Sequence, residues 1–485
     1  MNQHMSQQRT TTALARSLLA LLLAAPLAAQ AQSAADFAAM RGEIRALRAE
    51  LDALKAAAHP AVAVVEPAPS PPSDAIETVA EPAFHSKEQV VLGDIPDSYR
   101  LPNSSASTRL YGFAEMHVTH DIKGDNSDSD FGSFLPYVPL NGTPEAARTG
   151  RTFFTARTSR IGILTVMPTP YGRMAIKLEG DFSNDPHSGN AAVNGSAANL
   201  STQQASNGYD FRLRHAYGRL DGFLVGQTWS TFMDVDNAPE TVDANGPIGS
   251  TFIRQPQIRY SYSSEHMGKF SAALENPLSY VLDGSGAPMP SGFARVPDLI
   301  ARWDGSYPWG ALSVRGVTLE QRVDDGAGGA AARRGYGLAA SGLYKVGAGD
   351  FLTWGVTGGK GIGRYFNYIE GAAYDANQHA IVLEQALGLV VGYQHKQSDS
   401  LRFNQAFGWQ RNADNAYTEF AREHGIDSGR FGINRQLWQW HLGLIWNPVP
   451  RVDVGLEYIL GRRTTLAGQS GDMQRLDLSA KYNFN

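Results

Sequence analysis

Long segments of this chain place apolar side chains at every second position. The clearest is the hairpin QLWQWHLGLIWNPVPRVDVGLEYILGRR, in which two such segments flank a turn at residues 447–450. Alternation with a period of two predicts β-strands that have one apolar face. In this hairpin that face carries Trp438, Trp440, Leu442, Leu444, Trp446, Val452, Val454, Leu456, Tyr458 and Leu460.

The same period continues from about residue 108 to the end, for example in GRMAIKLEGDF and RLDLSAKYNF. Short turns, such as those at residues 221–222 and 398–400, alternate throughout with long polar or glycine-rich connections. The segments between them number about sixteen, an even number in the range of outer-membrane barrels with short periplasmic turns. We therefore predict an all-β fold, a 16-stranded antiparallel transmembrane β-barrel whose apolar face meets lipid.

A soluble all-β fold is the alternative to the barrel. A β-sandwich would bury the apolar faces against a second sheet and would rarely keep one rule of loop lengths through eight hairpins. A propeller or solenoid would show a self-repeat of about 40 residues, and none is visible.

The N-terminal residues have the pattern of an export signal. Arg9 and Arg16 precede an apolar block, which ends in the small-residue site Ala29-Gln30-Ala31. This order predicts a secretory signal peptide over residues 1–31.

A short heptad pattern follows the leader. Two and a half heptads predict a periplasmic coiled coil over residues 33–58, although a helix packed on its own domain is the alternative. Residues 59–107 are rich in proline and alanine and predict an extended linker, which leaves residues 108–485 for the barrel. The seam residues are Phe37, Met40, Ile44, Leu47, Leu51 and Leu54.

Composition and motifs exclude several functions. The chain has no cysteine, and its formal net charge is -5 without a basic run, which argues against thiolate metal sites and nucleic-acid binding. Nucleophile-elbow, phosphate-loop and zinc-protease motifs are absent from the sequence. We expect no enzymatic activity, no cofactor and no metal.

Arginines dominate the strand positions that would face the lumen. Arginines inside a pore attract carboxylates and phosphates, and guanidinium binds carboxylates through two hydrogen bonds. The alternative is structural pairing with acids such as Glu179 and Asp181, which we expect for about half of them. Strand parity directs Arg157, Arg173, Lys177, Arg212, Arg214, Arg259 and Arg302 inward.

The third long connection, residues 230–257, is the candidate constriction. A loop that folds into the barrel there would turn its acids toward the arginine wall and create a transverse field. The alternative is a solvated external loop. The acids are Asp234, Asp236, Glu240 and Asp243.

The order of leader, short coiled coil, proline-rich linker and barrel resembles the DcaP-like outer-membrane porins. The segments LYGFAEMHVTHDI, FFTARTSRIGI, FRLRHAYGRLDGFLVGQTWSTFMD and QPQIRYSYS carry the resemblance, which spans the mature chain. It implies a homotrimer of sixteen-stranded barrels, a periplasmic coiled coil and uptake of small organic anions such as dicarboxylates and aromatic diacids. On FFTARTSRIGI it implies a role for Arg160 beside Arg157, and GQTWSTFMD marks the start of the constriction loop.

The expected function is therefore an anion-preferring diffusion channel in the bacterial outer membrane. A phosphate-selective or general porin is the alternative of the same kind. An outer-membrane tether that acts through the coiled coil is an alternative of another kind.

Overall fold

The computed structural model describes residues 92–124, 132–184, 209–324, 329–347, 349–367 and 369–484. The predicted signal peptide and coiled coil, including the whole seam, lie outside the described residues. Among the described residues, no helix is long and apolar enough to cross a membrane.

Strands make up most of the described chain. The first ten are β1 Tyr99–Arg100, β2 Ser107–Lys123, β3 Arg151–Thr155, β4 Arg160–Thr169, β5 Gly172–Asn184, β6 Asp210–Leu220, β7 Phe223–Trp229, β8 Arg254–Ser264, β9 Gly268–Glu275 and β10 Asp298–Tyr307. The others are β11 Gly310–Val323, β12 Ala331–Val346, β13 Asp350–Lys360, β14 Ala372–Asp375, β15 Ala380–Leu383, β16 Gln385–Lys396, β17 Leu401–Asn412, β18 Asn434–Trp446, β19 Val452–Thr465 and β20 Ser470–Phe484. One α-helix, α1 Ala416–Glu423, and short 3-10 turns at Leu135–Tyr137, Glu145–Ala147 and Gly363–Tyr365 complete the described elements.

One sheet closes on itself. Each strand pairs antiparallel with the next, and β20 pairs with β2, where Gly112 lies opposite Phe484. β3 and β4 both pair with β2 as two parts of one strand, whereas β1 only extends the start of β2 and β14–β15 form a separate hairpin. The result is the predicted closed barrel of sixteen antiparallel strands.

The two faces of the barrel wall differ in polarity as the period of two predicts. On the β18–β19 hairpin, Trp440 and Leu442 are 42% and 37% exposed on the outside, while His441 and Glu457 are 1% exposed on the inside. Apolar side chains also cover the outside of the closing strand, where Leu478 and Tyr482 are exposed. An apolar outer surface on a closed sheet suits a hydrocarbon solvent, because no backbone edge is left unpaired.

The connections distinguish two rims. The turn rim carries seven connections of two to five residues, and the two chain ends of the barrel, Ser107 and Phe484, lie on it. The predicted strict alternation of short and long connections is wrong at the loop rim, since only residues 466–469 join β19 to β20. Four residues suffice there because the Gly468 N–H donates to the Thr465 backbone oxygen and closes a tight turn, while Leu466 and Ala467 donate to the seventh loop, which lies beside it.

The barrel pairing begins earlier than the sequence predicts. Residues 92–106, which belong to the predicted linker, contain β1, and its Arg100 lies opposite Ser107 at the start of β2. The Asp94 N–H donates to Ser107 Oγ over 2.8 Å, so this segment folds back against the first barrel strand.

The apolar core lies inside the barrel, near the loop rim. One cluster joins Leu135 and Val138 of the first loop, Ile248 of the third loop, and Leu437 and Ile459 of the wall. A second cluster joins Phe232 of the third loop to side chains of the sixth loop, residues 361–384, and to wall positions such as Leu319. The loops therefore form the core that a sheet of this curvature does not fill by itself.

Candidate functional site

The inward face of β5 and β6 carries a cluster of paired charges. Arg212 donates through Nε and a terminal nitrogen to the two oxygens of Asp181, over 2.9 and 2.8 Å. Arg214 donates to Glu179 over 2.9 Å and to Asp181 over 2.7 Å. The register shifts between Glu179 and Gly180, and this bulge turns Arg214 and His215 to the same side of the sheet.

Two further cations approach the same carboxylates. Lys177 Nζ lies 3.2 Å and Arg160 Nε lies 3.6 Å from Glu179 oxygens, and Tyr111 donates to Glu179 over 2.9 Å. Glu179 and Asp181 together thus face four cations, which leaves an excess of two positive charges. We call the inward face of β2–β8 the basic wall.

Arg157 is not on a strand as predicted. It lies in the turn 156–159, which interrupts the pairing between β3 and β4, and it is 6% exposed. Its guanidinium carbon is 4.0 Å from the ring centroid of Tyr209, a cation–π arrangement. Arg157 therefore supports the wall at the loop rim.

The third loop occupies residues 230–253, because β7 ends at Trp229 and β8 begins at Arg254. This loop folds into the barrel. Asp234 near its start lies 3.3 Å from Arg302 on β10 and 4.0 Å from Arg315 on β11, and it accepts a hydrogen bond from Ser341 on β12. Burial alone raises the pKa of the Asp234 carboxyl, but Arg302 and Arg315 outweigh it, so that pKa lies below its usual range.

The tip of the third loop binds to the far wall. Glu240 accepts from Arg402 on β17 over 2.7 and 2.8 Å, from Gln394 over 2.7 Å and from Asn404 over 3.0 Å. Burial raises the pKa of Glu240, but the hydrogen bond and charge of Arg402 lower it further than burial raises it. Asp236 is exposed at the tip.

Asp243 does not face the arginines as predicted. It is 2% exposed, and it accepts the backbone N–H groups of Ser133 over 3.0 Å and Asn245 over 2.8 Å. Its own N–H donates to Glu457 on β19. A carboxylate satisfied by backbone donors ties the first loop to the third, so the role of Asp243 is to position these loops.

The wall under the third loop is lined with glycine. A Cβ on Gly392 would lie 2.5 Å from Pro239, one on Gly388 would lie 2.7 Å from the backbone oxygen of Gly249, and one on Gly408 would overlap the backbone oxygen of Ile248. The loop backbone reaches the sheet only because these inward positions lack side chains. The lumen is left between the third loop and the basic wall.

The other predicted cations lie apart from the paired cluster. Arg173 is exposed at the start of β5 on the turn rim, and Arg259 points inward from the half of β8 nearer the turn rim. Arg302 donates to Asp304 over 2.7 Å and also to Asp234. None of these three contacts Glu179 or Asp181 among the described ion pairs.

Sequence reasoning missed three inward or lumenal arginines, Arg109, Arg219 and Arg254. The parity of Arg109 on β2 and Arg219 on β6 was sufficient to find them, since the register pairs them with the inward residues Leu164 and Ala175. The sequence places Arg254 in the third long connection, whereas the structure places it at the start of β8. Its guanidinium carbon lies 4.1 Å from the ring centroid of Trp229. Within the described ranges, no group of His, Asp and Glu side chains is arranged to hold a metal ion.

Comparisons with known proteins agree with this geometry. The family model of the DcaP outer membrane protein matches residues 100–484. The outer membrane channel DcaP of Acinetobacter baumannii superposes with a TM-score of 0.65 at 24% identity, over 81% of this chain and 100% of that one.

Two other outer-membrane proteins match with lower scores. OmpT of Vibrio cholerae gives a TM-score of 0.46 at 10% identity, over 79% of this chain and 99% of that one. The anion-selective porin of Comamonas acidovorans gives 0.44 at 14% identity, over 78% and 100%. No curated protein sequence matches the chain. With its closed sixteen-stranded barrel, its inward-folded third loop and a family match over most of its length, the chain belongs to the DcaP outer membrane protein family and is a β-barrel protein of the bacterial outer membrane.

Proposed function

We propose that this protein is a porin, a diffusion channel for small anionic solutes, and that dicarboxylates or aromatic diacids are its substrates. One observation carries the proposal: the third loop sits on the wall opposite to Arg160, Lys177, Arg212 and Arg214, whose charges exceed those of Glu179 and Asp181 by two. A solute between the loop and this wall passes a positive surface in a confined space, where the field is little screened by water.

The arginines act by lowering the entry barrier for a carboxylate. Guanidinium groups replace part of the hydration shell through paired hydrogen bonds. Conduction also requires release, so several weak sites in series serve better than one tight site. Pairing with Glu179 and Asp181 weakens each arginine and keeps the path reversible.

The reversal potential of single channels in a planar bilayer under a potassium chloride gradient tests the proposal. We expect anion selectivity in the wild type and transient current block when succinate or phthalate is added. Cation selectivity without block would show that the arginines serve only to hold the wall, and it would reject the proposal.

A phosphate-selective or general porin remains the second candidate. The arginines support it equally well, because guanidinium binds phosphate in the same geometry as carboxylate. Phosphate block at lower concentration than succinate block favours phosphate selectivity, and equal conduction of anions and cations favours a general porin.

The proposal also covers export and assembly, which we assign to the N-terminal region. Residues 1–31 act as a signal peptide, and the coiled coil over residues 33–58, placed in the periplasm by the linker, bundles beneath a homotrimer of barrels. The heptad seam and the resemblance to the family support this arrangement. Barrel closure does not depend on it, because all sixteen strands lie after residue 106.

Deleting residues 33–84 separates the pore from the tether. If the protein is a pore, the deleted protein conducts with the conductance and selectivity of the full chain. If it is a tether, the cellular phenotype of the full gene is lost although the channel conducts. The oligomeric state of both proteins, measured in detergent, tests whether the helix contributes to the trimer.

A further inference from the structure

The inward cations of the basic wall divide into two groups by depth. The group nearer the loop rim, Arg160, Lys177, Arg212 and Arg214, shares the carboxylates of Glu179 and Asp181. The group nearer the turn rim consists of Arg109, Arg173, Arg219 and Arg259. Only the first group has acidic partners on the same wall.

Arg219 and Arg259 occupy one row across the sheet. The register pairs Arg219 with Leu224 and Leu224 with Arg259, so one strand separates the two arginines. Strands lie about 4.8 Å apart, which puts the two backbones about 10 Å from each other. Leu224, which is 5% exposed, lies between the two arginines as an apolar contact surface. Tyr217 is the next inward residue on β6.

Among the described residues, no carboxylate forms an ion pair with Arg219 or Arg259. Within the described strands β2–β8, the inward positions on the turn side of Glu179 include no Asp or Glu. Arg219 donates to the backbone oxygen of Asp221 over 3.3 Å, and the described residues form no ion pair with Arg259.

The acids that flank the row are engaged elsewhere. Glu275 accepts from the Thr231 N–H over 2.6 Å and is 1% exposed. Asp304 binds Arg302 over 2.7 Å and lies 3.5 Å from Lys269. Glu275 contributes one negative charge near Arg259, but neither Glu275 nor Asp304 forms an ion pair with Arg219 or Arg259 among the described residues, so the row keeps an excess of positive charge.

We propose that Arg219 and Arg259 form a binding site for small dianions on the periplasmic side of the third loop. One carboxylate of the solute binds each guanidinium, and its apolar spacer lies over Leu224 and Tyr217. This inference rests on the proposed anion path. It places the strongest anion binding between the third loop and the turn rim, where the arginines lack carboxylate partners in the described part of the chain. Because Arg219 is exposed and Arg259 is half-buried, the site binds weakly enough to release the solute.

The double variant Arg219→Gln/Arg259→Gln tests the site in single-channel recordings with succinate as the probe. We expect the residence time of each block to fall about tenfold, equal to 1.4 kcal/mol. Arg295→Gln removes one charge from an external loop arginine that pairs with Asp324, and it should leave the residence time unchanged. An unchanged residence time in the double variant overturns the site.

A thiol probe locates the site independently. The chain has no cysteine, so Ser261→Cys, two residues from Arg259 on the same face, introduces a single thiol. Succinate should slow modification of this thiol by a negatively charged methanethiosulfonate several-fold, and it should not protect Ser398→Cys in an exposed turn. Equal rates with and without succinate overturn the site.

The two proposals fail in different ways. If the wild type is cation-selective, the anion path itself is wrong. If the wild type is anion-selective and succinate blocks it equally long in the double variant, only the Arg219–Arg259 site is wrong.

Discussion

At the scale of single residues, the charges of the lumen are set by how completely each one is paired. Asp181 is 2% exposed and binds Arg212 and Arg214 together, so two guanidinium groups share a single carboxylate. A buried charge without a partner is costly, and this pairing allows the arginines to line a confined wall. The remaining positive charge is available to a solute.

Removing this carboxylate should strengthen anion selectivity. In Asp181→Asn, Arg212 and Arg214 lose their shared counter-charge while the side chain keeps its size. We expect the anion-to-cation permeability ratio, taken from the reversal potential, to rise several-fold. Asp399→Asn removes a fully exposed charge at the turn between β16 and β17 and should leave the ratio near the wild-type value. A ratio that falls in Asp181→Asn would contradict the role given to the arginines.

At the scale of elements, the third loop depends on the wall that receives it. Asp234 and Glu240 fasten the loop to Arg302 and Arg402, while Gly388, Gly392 and Gly408 admit its backbone. Ion pairs and close packing act together here, since the carboxylates reach their arginines only if the backbone lies against the sheet.

Gly408→Ala should displace the third loop into the lumen. The added Cβ overlaps the backbone oxygen of Ile248, and neither backbone segment can move outward through the sheet. We expect a lower single-channel conductance. Gly218→Ala on β6 is the matched control, because a Cβ there meets nothing within 4 Å. Equal conductance of the two variants would mean that the loop does not set the pore size.

The fourth and sixth loops and α1 pack together at the loop rim, and we call this assembly the cap. Leu282 of the fourth loop, Ala373 and Val382 of the sixth, and Tyr417 and Phe420 of α1 pack in one apolar cluster. Beside this cap Glu384 is 1% exposed, and it accepts from the Gly371 N–H over 2.7 Å and from Asn412 over 2.5 Å. Burial raises the pKa of Glu384 from 4.5 to about 7.

The stability of this cap should therefore fall as pH rises. The protonated carboxyl is the form that the folded cap favours, so its contribution is complete below about pH 4.5 and is lost as pH rises through about 7. This difference in the pKa of Glu384 corresponds to about 3 kcal/mol of cap stability. Hydrogen exchange of the sixth-loop amides, corrected for intrinsic rates, should be faster at pH 8 than at pH 5. In Glu384→Gln this pH difference should shrink but not vanish, because burial also raises the pKa of Glu370 in the same loop; an unchanged difference would assign it to another group.

At the scale of the whole molecule, the apolar face of the wall lies on the outer surface of the barrel rather than against a protein core. Leu442, Leu456 and Leu478 are among the exposed residues of the outer surface, while the inside holds buried ion pairs such as Arg475 with Asp121. The usual order of an apolar interior and a polar surface is therefore inverted for the wall, although the packed loops keep an apolar core inside the barrel.

A charge on the outer surface should destabilise the barrel in a membrane. Leu442→Arg places a guanidinium near the middle of β18 on the lipid side, which costs about 2–4 kcal/mol at the bilayer midplane. Reversible unfolding from lipid vesicles in guanidinium chloride measures this loss. Ser263→Arg adds the same side chain to an inward position near the turn rim and should change the free energy of unfolding little. Equal losses in both variants would contradict the assignment of faces.

The sequence alone predicts the wall of this barrel well and its interior only in part. Alternation shows which side of β18, β19 and β20 meets lipid, because side-chain direction in a strand depends only on position along it. The same rule brings Arg212 and Arg214 to the lumen. It does not reveal the bulge that also turns His215 inward, nor the turn that removes Arg157 from its strand, since both arise from pairing with neighbours.

The sequence by itself determined the period of two and the face on which each side chain lies, because side-chain direction in a strand is a property of each segment alone. The tertiary structure decided which charges meet. Asp181 binds Arg212 across 31 positions and Arg475 binds Asp121 across 354, and Glu240 reaches Arg402 only because the third loop folds onto glycines. Such contacts depend on strand register, barrel closure and loop path, and these are set by the packing of the whole chain rather than by any local pattern.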